Sequence, residues 1–395
     1  MELDKTQLKA IAHAVGSKFS VITGGAGTGK TTIIKEIYAQ LKAENMKPEM
    51  CAPTGKAGAR LKEATGEDAS TIHRLLQYMG TGFQRGDLKD VSVIVDESSM
   101  VDSEIMAEII KRTPKKLILV GDEAQLIPVG KGQPFHDIIA LRPDVVVKLE
   151  KCYRNSEAVF KAATAIRNGV RVLDHDVSDN EKWSVLETGS DENTHDVIIS
   201  QVRAGFFDFT QDIILCPKNG KADMPATVHT LNEDIAAIVN PRTCDERIII
   251  GDRVMNTKNL SDKDIWNGTT GTVHSIDVTG SVWMKLDTPI LCWVESSGSR
   301  KVYKDTVQLT KSEAKDLVLA YALSVHKSQG SQYRKVCLVC LTRDLQSLLS
   351  RSLIYTAVTR TREQCVVVGQ KSAFTKGCSK LTGKKTIIQE LAASS

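Results

Sequence analysis

The chain has 395 residues, 41% hydrophobic and 25% charged, with a formal net charge of +4. That length accommodates two or three compact domains, and the composition excludes a disordered or fibrous chain. The mild charge permits a basic groove without making the whole surface a polyanion binder. No apolar run approaches the roughly 18 residues of a membrane span, and "MELDKTQLKA" lacks the apolar core of a signal peptide. A cytoplasmic protein without membrane contact is expected.

In chain order, the first part alternates "FSVIT", "PEMCAP", "VSVIVDE", "KLILVGD" and "VVVKL" with "TTIIKEIYAQLKA", "KAGARLKEA" and "SEIMAEIIKRT". The former are short and β-branched; the latter carry apolar residues at helical spacing. Strands alternating with helices predict a parallel sheet covered on both faces, here over residues 1–150. After Leu149 the pattern resumes with "SEAVFKAATAIRNG", "DIILCP" and "TVHTLNEDIAAIVN", and later with "KVCLVCL", "SLIYTAVTR" and "QCVVVG". That is a second α/β domain, in two parts, 151–245 and 321–395. Between them, over 246–320, the helical period vanishes. Short strands with turn signals at Gly268, Gly271, Gly280 and Gly298 predict a small inserted β barrel. The end, "CSKLTGKKTIIQELAASS", reads as a basic loop, a last helix and a frayed terminus.

Nine cysteines are scattered singly apart from Cys337 and Cys340. These lie in a strand, where positions i and i+3 point to opposite faces, and no second C-x-x-C completes a zinc site. A place in the core is expected for both.

"GGAGTGKTT" fits G-x-x-x-x-G-K-[ST] as Gly24, Gly29, Lys30 and Thr31, between a strand and a helix. Glycines let successive N–H groups converge on an anion, and the following helix adds its positive end. Gly25, Ala26, Gly27, Thr28, Gly29, Lys30, Thr31 and Thr32 are therefore the expected nucleotide-binding loop. Lys30 reaches for the β- and γ-phosphates, and the Thr31 hydroxyl for Mg²⁺. "VIVDESSM" sets Asp96 at a strand end to hold Mg²⁺, with Glu97 beside it to orient or deprotonate the attacking water. "LILVGDEAQ" repeats the strand-then-acid pattern with Asp122 and places the Gln125 amide to report hydrolysis. "LEKCYRN" presents Arg154, and "YTAVTRTRE" presents Arg360 and Arg362. Arginine brought from a second domain stabilises transition-state charge on the γ-phosphate.

In this order "GGAGTGKTT", "APTGKAGARL", "STIHRLL", "VDESSM", "LVGDEAQLIPVG", "LEKCYRN", "ALSVHKSQGSQY" and "LIYTAVTRTRE" resemble motifs I, Ia, Ib, II, III, IV, V and VI of superfamily 1 helicases. The branch is the RecD and Dda type, and the match runs from Gln7 to about Gly369. The resemblance implies an α/β fold of two RecA-like domains with an SH3-like barrel inserted in the second. It also implies ATP in the cleft, single-stranded DNA across the top and 5′→3′ translocation. Gln7 resembles the family's adenine-reading glutamine, Gln125 the coupling glutamine, and Arg154 and Arg360 the two γ-phosphate arginines. Arg362 has no firm counterpart. Pro53, Thr54, His73, His326 and Lys327 fall in motifs expected to face the DNA backbone, with a structural role as an equal reading for the two histidines.

Motif I begins near residue 24, so the N-terminal module of RecD itself is expected to be missing. Where relatives carry a strand-splitting β-hairpin, this chain has the short "QYMGTGFQRGDLKD", a hairpin expected at about 77–90. Tyr78, Met79 and Phe83 are its candidate wedge. The leading reading is an ATP- and Mg²⁺-dependent DNA helicase or translocase, acting as a monomer on single strands and duplex junctions. An RNA helicase of the same superfamily is the nearest rival. A small-molecule kinase leaves everything after Leu149 unexplained, and a DNA clamp with a decayed ATP site is disfavoured by Lys30, Asp96 and Glu97.

Overall fold

The structure, a computed structural model, describes residues 3–151, 153, 157–172, 182–242, 247–294 and 300–383. It divides into two units, the first running through Arg154 and the second Asn155–Leu381. Arg154 and the expected last helix lie outside the described residues.

In the first unit, Asp4 opens α1 (Lys5–Gly16) through a reciprocal capping box with Gln7. There follow β1 (Phe19–Gly24), α2 (Lys30–Ala43), β2 (Lys47–Ala52), α3 (Gly55–Thr65), β3 (Ala69–Thr71) and α4 (Ile72–Leu75). Then come β4 (Val91–Val95), α5 (Ser103–Lys111), β5 (Lys116–Gly121), α6 (Pro134–Leu141) and β6 (Val146–Leu149). The sheet order is β3-β2-β4-β5-β1-β6, with every pairing parallel. Every residue of β4 and β5 is buried, as continuous apolar runs in a doubly covered sheet require. Strand alternation splits the core. Ile22, Ile94 and Ile118 pack with Ile33 and Ile37 of α2, while Val21, Val93 and Leu119 pack with Met106 and Phe135 on the other face. The chain leaves β1 for the distant β2 and returns to β6 at β1's other edge. This crossover makes the C-terminal end of β1 a switch point, where such sheets bind ligands.

The second unit holds α7 (Glu157–Arg167), β7 (Trp183–Glu187), α8 (Asp191–Arg203), β8 (Ile213–Cys216) and α9 (Val228–Val239). An antiparallel excursion follows: β9 (Arg253–Asn256), β10 (Thr270–Ile276), β11 (Val282–Val294), β12 (Arg300–Leu309), the short α10 (Lys311–Ala314) and β13 (Leu317–Leu319). Its order is β12-β11-β10-β9-β13, around buried Val254, Val273, Met284, Leu309 and Leu317. Among the described residues no ladder joins β12 to β13, so hydrogen bonding leaves the sheet open at those edges. The chain passes from β13 into β14 (Ala322–Ser324), then β15 (Tyr333–Cys340), α11 (Arg351–Val358), β16 (Thr361–Gly369) and α12 (Lys371–Ser379). A second parallel sheet results, ordered β14-β8-β15-β16-β7. The seam is polar. Asn232 Oδ1 accepts from the N–H groups of Tyr321 (2.8 Å) and Ala322 (2.9 Å), and the Tyr321 hydroxyl donates to buried Asp252 (3.3 Å). Cys337 and Cys340 are fully buried free thiols in β15, as expected.

Candidate nucleotide site

β1 ends in the glycine loop, and α2 begins at Lys30 with Gly29 as N-cap. Gly29 has φ +82°, and a Cβ there would stand 2.5 Å from Gln7 Nε2. Other residues meet a cost of about 1–2 kcal/mol in that left-handed region. A Cβ on Gly24 would stand 2.8 Å from Leu149 Cβ. The loop is thus pressed between α1 and β6, and only glycine fits either place. Gly29 supplies no side-chain cap, so the first-turn N–H groups and the helix dipole are left for an anion. Lys30 Nζ donates to the carbonyls of Gly24 (2.7 Å) and Gly25 (2.9 Å), which seats the ammonium on the loop itself. Thr28 Oγ1 braces the turn by donating to Gly25 O at 2.9 Å. Ala26, Gly27 and Thr31 are half-buried, and Thr32 is exposed.

Gln7 is buried beside this loop. Its Nε2 donates to Thr28 O (3.2 Å) and its Oε1 accepts from Asp4 N–H (3.0 Å). These two bonds orient the amide while using only one of its two N–H groups and one of its two oxygen lone pairs, so it can read a base without giving up either.

Asp96 and Glu97 follow the buried β4. The Asp96 N–H donates to Cys51 O on neighbouring β2 at 2.9 Å, which fixes where the acid leaves the sheet. Glu97 sits at φ +50°, a left-handed turn uncommon outside glycine, and its N–H donates to Asp96 Oδ1 at 2.8 Å. Burial first, then the neighbouring Glu97 charge, push the Asp96 carboxyl up to about 6, against the opposing charges of Lys30 and Arg60. Glu97 Oε2 is buried with no hydrogen-bond partner, as are Thr23 Oγ1 and Ser99 Oγ. Unpaired buried acceptors beside a cationic loop fit a hydrated divalent ion and an attacking water. Mg²⁺ is usually held by one or two carboxylates together with substrate phosphates. Accordingly, no cluster of three or more His, Cys, Asp or Glu stands ready for a metal among the described residues. Asp122 at the end of β5 is fully buried and accepts from Ala124 N–H (3.1 Å) and Gln125 Nε2 (3.4 Å), so Gln125 is held by its own loop.

The remaining sequence-predicted residues divide between the units. In the first, Thr54 caps α3, its Oγ1 accepting from Ala57 N–H at 3.2 Å, next to half-buried Pro53. His73 is exposed and packs against the hairpin aromatics, its ring edge-on to Tyr78 at 5.5 Å and tilted against Phe83 at 5.7 Å. The hairpin is real but minimal, a Tyr78–Phe83 antiparallel bridge with Met79 N–H donating to Gly82 O at 3.0 Å. Tyr78 and Met79 are exposed by 47% and 72%, whereas Phe83 turns against the core beneath the Arg112 guanidinium. In the second unit, Arg360 is 3% exposed, with Nε on Thr356 O (3.2 Å) and Nη1 on Ser331 O (3.4 Å). Half-buried His326, whose imidazole burial holds below its ordinary value, neighbours Lys327. Lys327 Nζ donates to Asn267 of the antiparallel insertion at 2.9 Å. Sequence reasoning passed over Asp4, Thr23, Ser99 and Tyr153. Only Asp4 carried a local sign, the D-x-x-Q spacing of a capping box.

A family model described as an AAA domain matches residues 2–183, and one described as a UvrD-like helicase C-terminal domain matches 319–368. The ATP-dependent RecD2 DNA helicase of Deinococcus radiodurans is 31% identical over 387 residues, covering 94% of this chain and 50% of the relative. The RecBCD enzyme subunit RecD of Mycolicibacterium smegmatis is 28% identical over 423 residues, covering 93% of this chain and 71% of the relative. The solved Pif1 helicase from Bacteroides in complex with ADP-AlF3 and ssDNA aligns with a TM-score of 0.59 at 19% identity, over 100% of this chain and 97% of that one. At that identity the likeness is one of fold. The chain spans half the length of the Deinococcus relative.

Proposed function

We propose that the chain is a RecD-like superfamily 1 helicase and that it hydrolyses ATP to move 5′→3′ along single-stranded DNA and open duplex. The observation that carries this reading is the convergence, at the C-terminal ends of the neighbouring strands β4, β5 and β1, of the Gly24–Lys30 loop, Asp96 with the unpaired Glu97 Oε2, and Gln125 on Asp122. Loop N–H groups and Lys30 bind the phosphates, and Thr31 and Asp96 hold Mg²⁺, which when bound neutralises charge on the β- and γ-oxygens. Glu97 takes the proton of the attacking water, the task of a nearby carboxylate with a vacant lone pair. Gln125 reports the γ-phosphate to its loop, and Arg154 and Arg360 supply the transition-state cations. Pro53, Thr54, His326 and Lys327 meet the DNA backbone, and His73 joins them beside the hairpin. Tyr78 and Met79 form the strand-separating tip, and Phe83 is its foot. Assignment of the inserted sheet to the SH3-like class and a cytoplasmic location belong to the same proposal. So do the domain limits 1–150, 151–245, 246–320 and 321–395 and action as a monomer.

The test is ATPase stimulation by single-stranded DNA against RNA, with unwinding of 5′- and 3′-tailed duplexes. Stimulation by DNA and unwinding from the 5′ tail are expected, with affinity falling steeply with salt because phosphates dominate the contact. Stimulation by RNA alone, or unwinding only from a 3′ tail, defeats the reading.

A further inference from the structure

Tyr153 closes a ring of hydrogen bonds around the phosphate loop, although 149 positions separate it from its partner Asp4. Its N–H donates to Gly27 O at 2.9 Å. Its hydroxyl donates to Asp4 Oδ2, while Asp4 Oδ1 accepts from Gln7 N–H at 2.8 Å. Gln7 returns to the loop through Thr28 O. The Asp4 carboxyl is held below its usual range, first by the Tyr153 hydroxyl, and the Tyr153 phenol is pushed up to about 12, first by Asp4. Lys151 Nζ lies 5.1 Å from the Tyr153 ring centre.

We propose that Tyr153 and Asp4 are positioning residues for ATP, acting as a latch that aims the loop's N–H groups at the diphosphate. In a trans peptide the carbonyl and the following N–H point to opposite sides. Tethering Gly27 O to residue 153 and Thr28 O to Gln7 therefore sets where the Thr28 and Gly29 N–H groups face. The Thr28 N–H makes only a long 3.4 Å contact to Gly25 O, so the turn does not fix that direction by itself. The hydroxyl–carboxylate bond keeps residue 153 in place to do so. Tyr153 is also the sequence neighbour of Arg154, so the segment that holds the loop is the one that carries a candidate γ-phosphate arginine. This deepens the proposed function and rests on its ATP site.

The two ends of the latch can be cut separately. Tyr153→Phe keeps the ring and the backbone and loses the hydroxyl. Asp4→Ser keeps an efficient N-cap but has one short oxygen, which the cap occupies, and nothing left to reach the Tyr153 hydroxyl. Each variant is expected to bind ADP about tenfold more weakly by calorimetry, the scale of one lost charge-assisted hydrogen bond. The KM for ATP should rise to match, while kcat stays within about threefold, because the loop holds ground state and transition state alike. The double variant should lose no more than either single one. A merely structural bond would lower the melting temperature and leave ADP affinity unchanged, which overturns the latch. So does Tyr153→Phe behaving as wild type while Tyr153→Ala fails, since the ring alone would then matter. A wild-type protein that neither binds ADP nor hydrolyses ATP defeats the proposed function itself.

Discussion

To separate strands as proposed, the Tyr78–Phe83 hairpin must be stiffer than the duplex it opens, and two arginines brace it. Arg85, where the hairpin returns, donates Nη1 and Nη2 to the two Glu49 oxygens on β2 at 2.7 and 2.6 Å, and Nη1 also to Leu75 O at 3.0 Å. Arg112 grips the same strand through Arg85 O (2.8 Å) and Phe83 O (3.1 Å). The side chains of Arg85 and Glu49 are 22% and 37% exposed. Discounted for solvent screening, such a two-pronged pair contributes about 1–2 kcal/mol. Opening one base-pair step costs on average ~1.4 kcal/mol. Arg85→Ala therefore removes from the hairpin's bracing about as much free energy as breaking one step requires. Unwinding of a 5′-tailed duplex, followed by strand-displacement fluorescence, should fall roughly tenfold, using ~1.4 kcal/mol per decade. DNA-stimulated ATPase should stay within about twofold. Arg85→Lys keeps the charge without the fork and should fall between. Arg85→Ala unwinding at the wild-type rate, with a lowered melting temperature to show the brace is gone, would refute the reasoning.

Lys30→Ala should abolish ATP turnover with loss of nucleotide affinity, whereas Glu97→Gln should abolish turnover with nucleotide still bound; a Glu97→Gln enzyme near wild-type turnover removes the assigned base. Asp96 makes a prediction with a definite sign. Its carboxyl is raised from 3.8 to about 6 in the folded protein, so the folded state binds more protons in that window and stability falls as pH rises through it. Without nucleotide, Asp96→Asn should then raise the melting temperature at pH 7 and lose that gain below about pH 4; a destabilised variant at pH 7 contradicts it. For the same reason Mg²⁺-ATP affinity should increase from pH 5 to pH 7 in the wild type and not in Asp96→Asn.

What was legible in the sequence is what local chemistry dictates. The glycine loop, the apolar strands ending in Asp96 and Asp122, and the loss of helical period before β14 all carry their cause within a few residues. The strand-borne cysteines were readable for the same reason, since alternation alone sends Cys337 and Cys340 into the core. The hairpin was legible as a position but not as a division of labour. Tyr78, Met79 and Phe83 are equivalent as apolar letters, and only Arg112, reaching from α5, draws Phe83 inward and leaves the other two outside. The left-handed turn at Glu97 had no sign either, because "VDESS" contains neither glycine nor asparagine to announce positive φ. The undetected polar pairs have a different origin. Asp4 with Tyr153, Glu49 with Arg85, and Asn267 with Lys327 are polar pairs 149, 36 and 60 positions apart. Their geometry exists only after the sheets have ordered their strands out of sequence, and no periodicity encodes it. In a motor this division has a physical basis. Groups that touch phosphate need a fixed local geometry and so leave a motif. Groups that aim them need only to arrive, from anywhere in the chain, at the right hydrogen-bonding distance.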